Sequence, residues 1–219
     1  MICWSCQKAA GEDTLCVSCK AVQPPDRSAD YFRVLGIERC FALDVGVLER
    51  RYKDLTKILH PDRFARADPL ARRASLERTV QLNEAWRTLI DPVRRAEYLL
   101  SLHGIVLGQA AERPGQFIEN PTVPVPETLL MEVLELREAL AEANTAKDLP
   151  RVQVLAAKVR SSFDVAMADV AQCFAKSPPD LTTIVRQLSS VRYYRRFLDE
   201  ARVLLEDPSR FKESSGYAG

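Results

Sequence analysis

The sequence predicts an all-α protein: a helical hairpin domain and a C-terminal three-helix bundle, preceded by a small metal-binding module. Three observations predict it. Apolar residues recur at helical spacing over most of residues 29–207. Prolines sit at or just before the starts of successive helical runs, where a missing N–H costs nothing. No alternating apolar–polar stretch of useful length appears outside the first 25 residues. A chain of 219 residues is long enough to bury a core without staples.

Composition narrows the chemistry. The 31 basic and 30 acidic residues leave a net charge of +1, which argues against binding nucleic acid or membrane surfaces through bulk electrostatics. With only 8 glycines, no phosphate-cradling loop or dinucleotide fingerprint is present. Nothing approaches the roughly 18 apolar residues that span a bilayer. Cysteines within the first six residues replace the basic and apolar segments of a signal peptide, so a cytoplasmic location is expected.

Residues 1–25 hold Cys3, Cys6, Cys16 and Cys19, two C-x2-C pairs nine residues apart. Two such turns can bring four sulfurs to a tetrahedron, with bonds of about 2.3 Å to zinc. A segment this short lacks the apolar surface to fold alone, so bound Zn(2+) is expected to supply the folding free energy as a structural ion. Four thiolates leave no open position for catalysis. Two disulfides are the alternative pairing, disfavoured in a reducing compartment. Cys40 and Cys173 are expected to be small buried hydrophobes.

Pro24-Pro25-Asp26-Arg27-Ser28 reads as a stiff linker. A hairpin domain is expected over 29–104. A short amphipathic segment from Asp30 ends at Gly36; a helix starts at Asp44 and runs to Leu59. Another covers Pro69 to Ile90, and Asp91-Pro92 opens one reaching His103-Gly104. Residues 105–125, interrupted by Pro114, Pro121 and Pro124, read as a linker. Residues 126–207 read as three helices punctuated by Asp148-Leu149-Pro150 and Ser177-Pro178-Pro179, and residues 208–219 as a disordered tail. No internal repeat stands out.

Within the second helix, Leu48, Tyr52, Leu55 and Leu59 form one apolar stripe, while Arg50, Lys53 and Lys57 share the opposite face. The helix must stop at His60, because Pro61 disfavours helical geometry in the residue before it. A polar His60-Pro61-Asp62 apex beside a basic face suits docking onto an acidic groove. Alone, each piece also reads as an ordinary turn or a solvated face, and His60 with Asp62 as a dyad without a recognisable nucleophile motif.

Preceded by Asp30-Tyr31-Phe32-Arg33-Val34-Leu35-Gly36, the His-Pro-Asp hairpin resembles a J-domain, a co-chaperone module that stimulates ATP hydrolysis by DnaK-class chaperones. Leu82-Asn83-Glu84-Ala85-Trp86, the run Asp91 to Gly104, and Leu129-Leu130-Met131-Glu132-Val133-Leu134 are similar to the HscB family of iron–sulfur cluster assembly. No Gly/Phe-rich segment of a general DnaJ follows. The resemblance implies that His60, Pro61 and Asp62 trigger hydrolysis in a HscA- or DnaK-class ATPase. Arg50, Lys53 and Lys57 then supply attachment, and the bundle holds an IscU-type scaffold. It also implies that the chain is not itself the enzyme.

Helical arithmetic gives the bundle a candidate surface. With Leu129 at zero, Val133, Leu136, Leu140 and Ala143 lie within about 40°. Leu130, Met131 and Leu134 project about 100° to 200° away, among Glu135, Arg137, Glu138 and Glu142. Apolar side chains among charges, away from the core, suit a partner; coverage by the third bundle helix is the competing reading. Tyr193 and Tyr194 add a further candidate contact, one packing inward and the other outward, with the order left open. A zinc-binding nucleic-acid adaptor and a J-protein for another client are the alternative functions. The first is weakened by the 11 basic and 13 acidic residues across 126–207 and by a module with only Lys8 and Lys20.

Overall fold

The structure, a computed structural model, describes residues 2–11, 14–107 and 127–206. Among the described residues seven α-helices follow one another: α1 (Tyr31–Leu35), α2 (Val45–Leu59), α3 (Pro69–Ile90), α4 (Pro92–Leu102), α5 (Glu127–Thr145), α6 (Leu149–Ala175) and α7 (Leu181–Glu206). They form two compact units, Met1–Arg95 and Ala96–Gly219. Among the described residues the only β-structure is two isolated bridges, Ile2–Ala9 and Leu15–Val22. Most of the expected linker and the whole expected tail lie outside the described residues.

Aspartate sets most of the helix starts. Asp30, Asp44, Asp68, Asp91, Asp148 and Asp180 each accept a hydrogen bond from a first-turn backbone N–H, at 2.8–3.1 Å. Each satisfies a donor that the helix itself cannot. Three of these caps precede or overlap a proline in the first turn, so the sequence signals for α3, α4 and α6 coincide. Gly36, at φ 65°, takes the left-handed conformation that ends α1.

In the first unit, α2 and α3 lie antiparallel. Tyr52 stacks on Trp86 with ring centroids 4.6 Å apart, and its hydroxyl donates to Asn83 Oδ1 at 2.9 Å. Seven residues further along α2, Leu59 meets Ser75, eight residues back along α3. Phe32, Leu35, Leu48, Leu82, Ala85 and Leu89 fill the core between α1, α2 and α3. Arg95 is buried beside them, 5.1 Å over the Phe41 ring, and donates to the carbonyl of Leu89 at 2.8 Å.

Pro61 cannot continue α2, so His60 leaves helical geometry at ψ 126° and residues 61–64 form a single 3-10 turn. The orphaned carbonyl of Leu59 is taken up by Ser75 Oγ at 2.7 Å and Thr79 Oγ1 at 3.3 Å. The end of α2 is thereby pinned to α3.

In the second unit, α6 and α7 form a long hairpin against which α5 packs. Leu129, Val133, Leu136, Leu140 and Ala143 of α5 are all buried, joined by Val152, Val159, Tyr194, Phe197, Ala201 and Leu204. Two expectations need correction. Cys40 is half-buried, not a core hydrophobe, and its thiol faces the Ala42 carbonyl at 3.4 Å in the α1–α2 connection; Cys173 is buried as expected. The module also contains a short repeat, described below, where no internal repeat was expected.

Ser75 is completely buried and its hydroxyl is the shorter of the two donors to the Leu59 carbonyl. Ser75→Ala should destabilise the first unit by about 1 kcal/mol, the net contribution of one hydrogen bond, with Thr79 left as the remaining donor. Urea denaturation followed by far-UV circular dichroism measures it.

Candidate functional site

Three clusters carry chemistry. The first is the apex of the α2–α3 hairpin. His60 is exposed and accepts at Nδ1 from the backbone N–H of Asp62 at 3.3 Å, which orients the ring along the 3-10 turn. Asp62 is 90% exposed and its carboxylate stands 3.5 Å from the same nitrogen. Arg63 Nη1 donates to the Lys57 carbonyl at 3.3 Å, tying the turn back to the last turn of α2. Arg50, Lys53 and Lys57 are all exposed on one face; Lys53 pairs with Glu49 at 2.7 Å, so part of its charge is already compensated. Arg51, one residue off this face, lines a cleft between α1, α2 and α3 instead.

The second cluster is the four-cysteine module. The sulfurs of Cys3, Cys6, Cys16 and Cys19 all lie within 4.8 Å of one another. Cys3 and Cys19 are 3.6 Å apart, Cys6 and Cys16 3.8 Å. A tetrahedron with metal–sulfur bonds of about 2.3 Å has edges of about 3.8 Å. The donor set therefore fits a tetrahedral thiophilic cation.

The module is built from two copies of one turn, offset by thirteen residues. Cys3 N–H donates to Lys8 and Cys16 N–H to Ala21, at 2.8 and 2.9 Å. Gln7 and Lys20, the residues after Cys6 and Cys19, both take left-handed geometry, at φ 59° and 60°. The sequence carries this repeat only as Cys3-Trp4-Ser5-Cys6 and Cys16-Val17-Ser18-Cys19; the positions that follow each run carry unlike side chains. Backbone N–H groups converge on the sulfurs as well. Burial raises the Cys3 pKa, but N–H donors from Cys6 and Ser5 and the neighbouring thiols outweigh it and lower the group to about 6. Cys6 has a donor at Lys8 that lowers its pKa, yet burial and the other three sulfurs raise it to about 11.

Gln23 is a participant that sequence reasoning missed. Its side chain is 1% exposed, and its amide Nε2 donates to Cys3 Sγ at 3.3 Å and to the Ala21 carbonyl at 2.8 Å. A glutamine before Pro24-Pro25 carries no sequence signal of this contact.

The third cluster is the outer face of α5. Met131 and Leu134 are 56% and 45% exposed, so the third bundle helix does not cover them; Leu130 is half-buried at the edge of the same face. Glu135, Glu138 and Glu142 are exposed around them. Two of the charges are engaged within the bundle: Arg137 with Glu200 at 3.5 Å and Glu142 with Arg151 at 2.9 Å. The tyrosine order is now clear. Tyr194 is buried in the core with its hydroxyl 3.4 Å from Glu132, so it is not an outward anchor. Tyr193 is half-buried and lines a crevice with Arg137 and Arg196.

Comparison with known proteins agrees with this organisation. Residues 30–98 match the DnaJ domain model, and residues 125–202 match that of the HSCB C-terminal oligomerisation domain. The iron–sulfur cluster co-chaperone protein HscB homolog of Arabidopsis thaliana is 32% identical over 198 residues, covering 90% of this chain and 72% of the plant protein. The crystal structure of human co-chaperone protein HscB superimposes with a TM-score of 0.80 at 26% identity, over 93% of this chain and 98% of the human one. Chaperone HscB from Vibrio cholerae gives 0.68 at 28% identity, over 81% and 98%. With the hairpin, the bundle and this level of identity over most of its length, the chain belongs to the HscB family, whose named members are iron–sulfur cluster co-chaperones.

Proposed function

We propose that this chain is an adaptor co-chaperone of iron–sulfur cluster assembly: it brings an IscU-type scaffold to a HscA- or DnaK-class chaperone and stimulates that partner's ATP hydrolysis. The single observation that carries the reading is the His60-Pro61-Asp62 apex. It is held rigidly by the Leu59 cap yet leaves imidazole and carboxylate exposed beside a basic helix face. A group that must enter another molecule's acidic groove needs both properties, rigidity to limit ordering cost and exposure to make contact. Arg50, Lys53 and Lys57 steer the encounter, and His60, Pro61 and Asp62 act at the contact. The ATP turnover belongs to the partner.

Residues 29–104 serve as the J-domain and residues 126–207 as the scaffold-binding bundle, joined through 105–125. Met131, Leu134 and the exposed edge of Leu130 form the apolar centre of the client site, with Glu135, Glu138, Arg137, Glu142 and Tyr193 at its rim. Exposed Met and Leu ringed by charges suit a specific hydrophobic contact. Holding the client beside the ATPase raises its effective concentration there and couples delivery to hydrolysis.

In residues 1–25, Cys3, Cys6, Cys16 and Cys19 hold a structural Zn(2+), for which all-thiolate donors at these separations are suited. The ion supplies the folding free energy, and with four protein ligands it leaves no position for substrate. Among the described residues no helix is long and apolar enough to cross a membrane.

His60→Gln is expected to abolish stimulation of the partner ATPase in a steady-state assay while leaving the far-UV spectrum unchanged; full stimulation by this variant removes the mechanism. Alanine at Leu130, Met131 and Leu134 together should weaken scaffold binding measured by calorimetry, on the order of 2 kcal/mol for each side chain that acts as a hot spot, without strict additivity. Because Met131 and Leu134 are exposed, the triple variant should keep most of its stability, and unaltered affinity would place the client elsewhere. Cys19→Ser is expected to reduce zinc content from one equivalent per chain toward zero and unfold the module alone, read by metal analysis and by proton chemical shifts of residues 2–23.

A further inference from the structure

The four-cysteine module leaves through a segment that is fastened to the middle of α3. Arg78 Nε donates to the Gln23 carbonyl at 2.6 Å and Arg78 Nη2 to the Pro24 carbonyl at 3.1 Å. Three residues on, Gln81 Nε2 donates to the Asp26 carbonyl at 3.0 Å. Burial lowers the Arg78 pKa from its ordinary value, against the pull of Asp26, and the half-buried guanidinium meets those backbone oxygens. The same residue that receives Arg78 on its backbone, Gln23, donates with its side chain to Cys3 Sγ. Thirteen residues earlier, the equivalent position in the first turn is Ala10, which has no side chain to make such a contact. The link is therefore a departure from the module's internal symmetry.

We propose that Gln23 is a strut through which metal occupancy of the four cysteines governs seating of the module on α3 of the J-domain. The inference rests on the reading that these cysteines hold zinc. Metal binding fixes the Cys3 sulfur within the tetrahedron of four. The Gln23 amide, bonded to that sulfur and to the Ala21 carbonyl, is held folded inward with it. That in turn holds the carbonyls of Gln23 and Pro24 where Arg78 reaches them. Without the ion nothing fixes the Cys3 sulfur against Cys6, Cys16 and Cys19, so the Gln23 amide loses its anchored acceptor, and its Oε1 has no hydrogen-bond partner to offset the loss. A buried polar group so poorly satisfied favours release into water. Arg78 and Gln81 then rehydrate and the module comes off the helix. Linkage makes the effect reciprocal: if metal favours docking, docking must tighten metal by the same factor.

That reciprocity supplies the test, because Arg78 touches no cysteine among the described contacts. Zinc affinity of the full chain is measured by competition with a chromophoric chelator, for the wild type, Arg78→Ala and Gln81→Ala. All three are expected to bind one zinc per chain. The dissociation constant should rise about fivefold or more in Arg78→Ala, the lower end of usual coupling between sites. Gln81→Ala should move it in the same direction, by about twofold. In nitrogen–proton NMR of the wild type, the Arg78 Nε–H should be protected with zinc and exchange at least about tenfold faster after chelation. Gln23→Ala should show the faster exchange even with zinc bound. Equal zinc affinity in Arg78→Ala and wild type, with helicity retained, overturns the proposal. If Arg78→Ala loses helicity, Gln81→Ala carries the comparison and equal affinity there overturns it. A wild type that binds no zinc overturns both this coupling and the metal reading beneath it, whereas stoichiometric zinc with unchanged affinities overturns the coupling alone.

Discussion

The geometry of the apex depends on one backbone oxygen. Pro61 forbids helical geometry at His60, so the Leu59 carbonyl loses its partner within a mostly buried environment. An unpaired carbonyl there would favour fraying of the last turn of α2. Ser75 and Thr79 meet it from α3, and the Thr79 hydroxyl also bonds the carbonyl of Ser75. The helix end is thereby fixed against a 22-residue helix, not left to solvent. Seven residues earlier, at the middle of α2, the Tyr52–Trp86 stack and the Tyr52–Asn83 hydrogen bond fix the same antiparallel pair a second time. Between these two anchors α2 cannot rotate. Its apolar stripe stays inward, and Arg50, Lys53 and Lys57 stay outward. Rigidity at the apex and charge on the face thus follow from the same packing.

The bundle handles apolar side chains in the opposite manner. α5 has more of them than one buried stripe requires, and the surplus is displayed. Leu129, Val133, Leu136 and Leu140 are at most 6% exposed, whereas Met131 and Leu134 are about half exposed. Two large apolar residues in water are ordinary on any surface. Here they sit on one face, at i and i+3, with carboxylates on both flanks. The flanking charges keep such a face solvated. Beside this face Arg137 pairs with Glu200 and Glu142 with Arg151.

How much of this was legible in the sequence follows from the range of each interaction. Local rules carried the helices. Asp44, Asp68-Pro69, Asp91-Pro92 and Asp148-Leu149-Pro150 mark starts through contacts within four residues, and the structure has the helices beginning at those places. The C-x2-C spacing worked for the same reason. The 3.6-residue period separated Leu129, Val133, Leu136 and Leu140 from Met131 and Leu134 without knowledge of what they pack against. It could not order Tyr193 and Tyr194, because adjacent residues differ by only about 100° and both can border a helix interface. Which one enters was settled by the α5 side, where Glu132 receives the Tyr194 hydroxyl from 62 residues away. Cys40 was misread because low polarity in its neighbours suggested a core position. It sits instead in an irregular connection, where the Ala42 carbonyl needs a donor as much as the core needs volume. Of the repeat within the module the sequence shows only the two C-x-S-C runs; the rest is backbone geometry, a left-handed conformation that Gln7 and Lys20 share and that glycine would have advertised.

The least legible contact is also the one that joins two folding problems of different kinds. A module of this size buries too little apolar surface to be stable by itself, and its order has to come from its four sulfurs. The helical hairpin beside it is ordered by its own core. A charged side chain between them, Arg78, gives up water for two carbonyls that belong to the less stable partner. Such an exchange is favourable only where those carbonyls are already held in place, since ordering a flexible segment at the moment of contact would offset the gain. Gln23 holds them by reaching back to Cys3, and no other described residue bridges a sulfur and the receiving backbone in this way. Order therefore passes from the thiolates to the linker and from the linker to α3, although no residue of α3 touches the cysteines among the contacts described. A buried glutamine with one oxygen unsatisfied is what that transmission costs the free module.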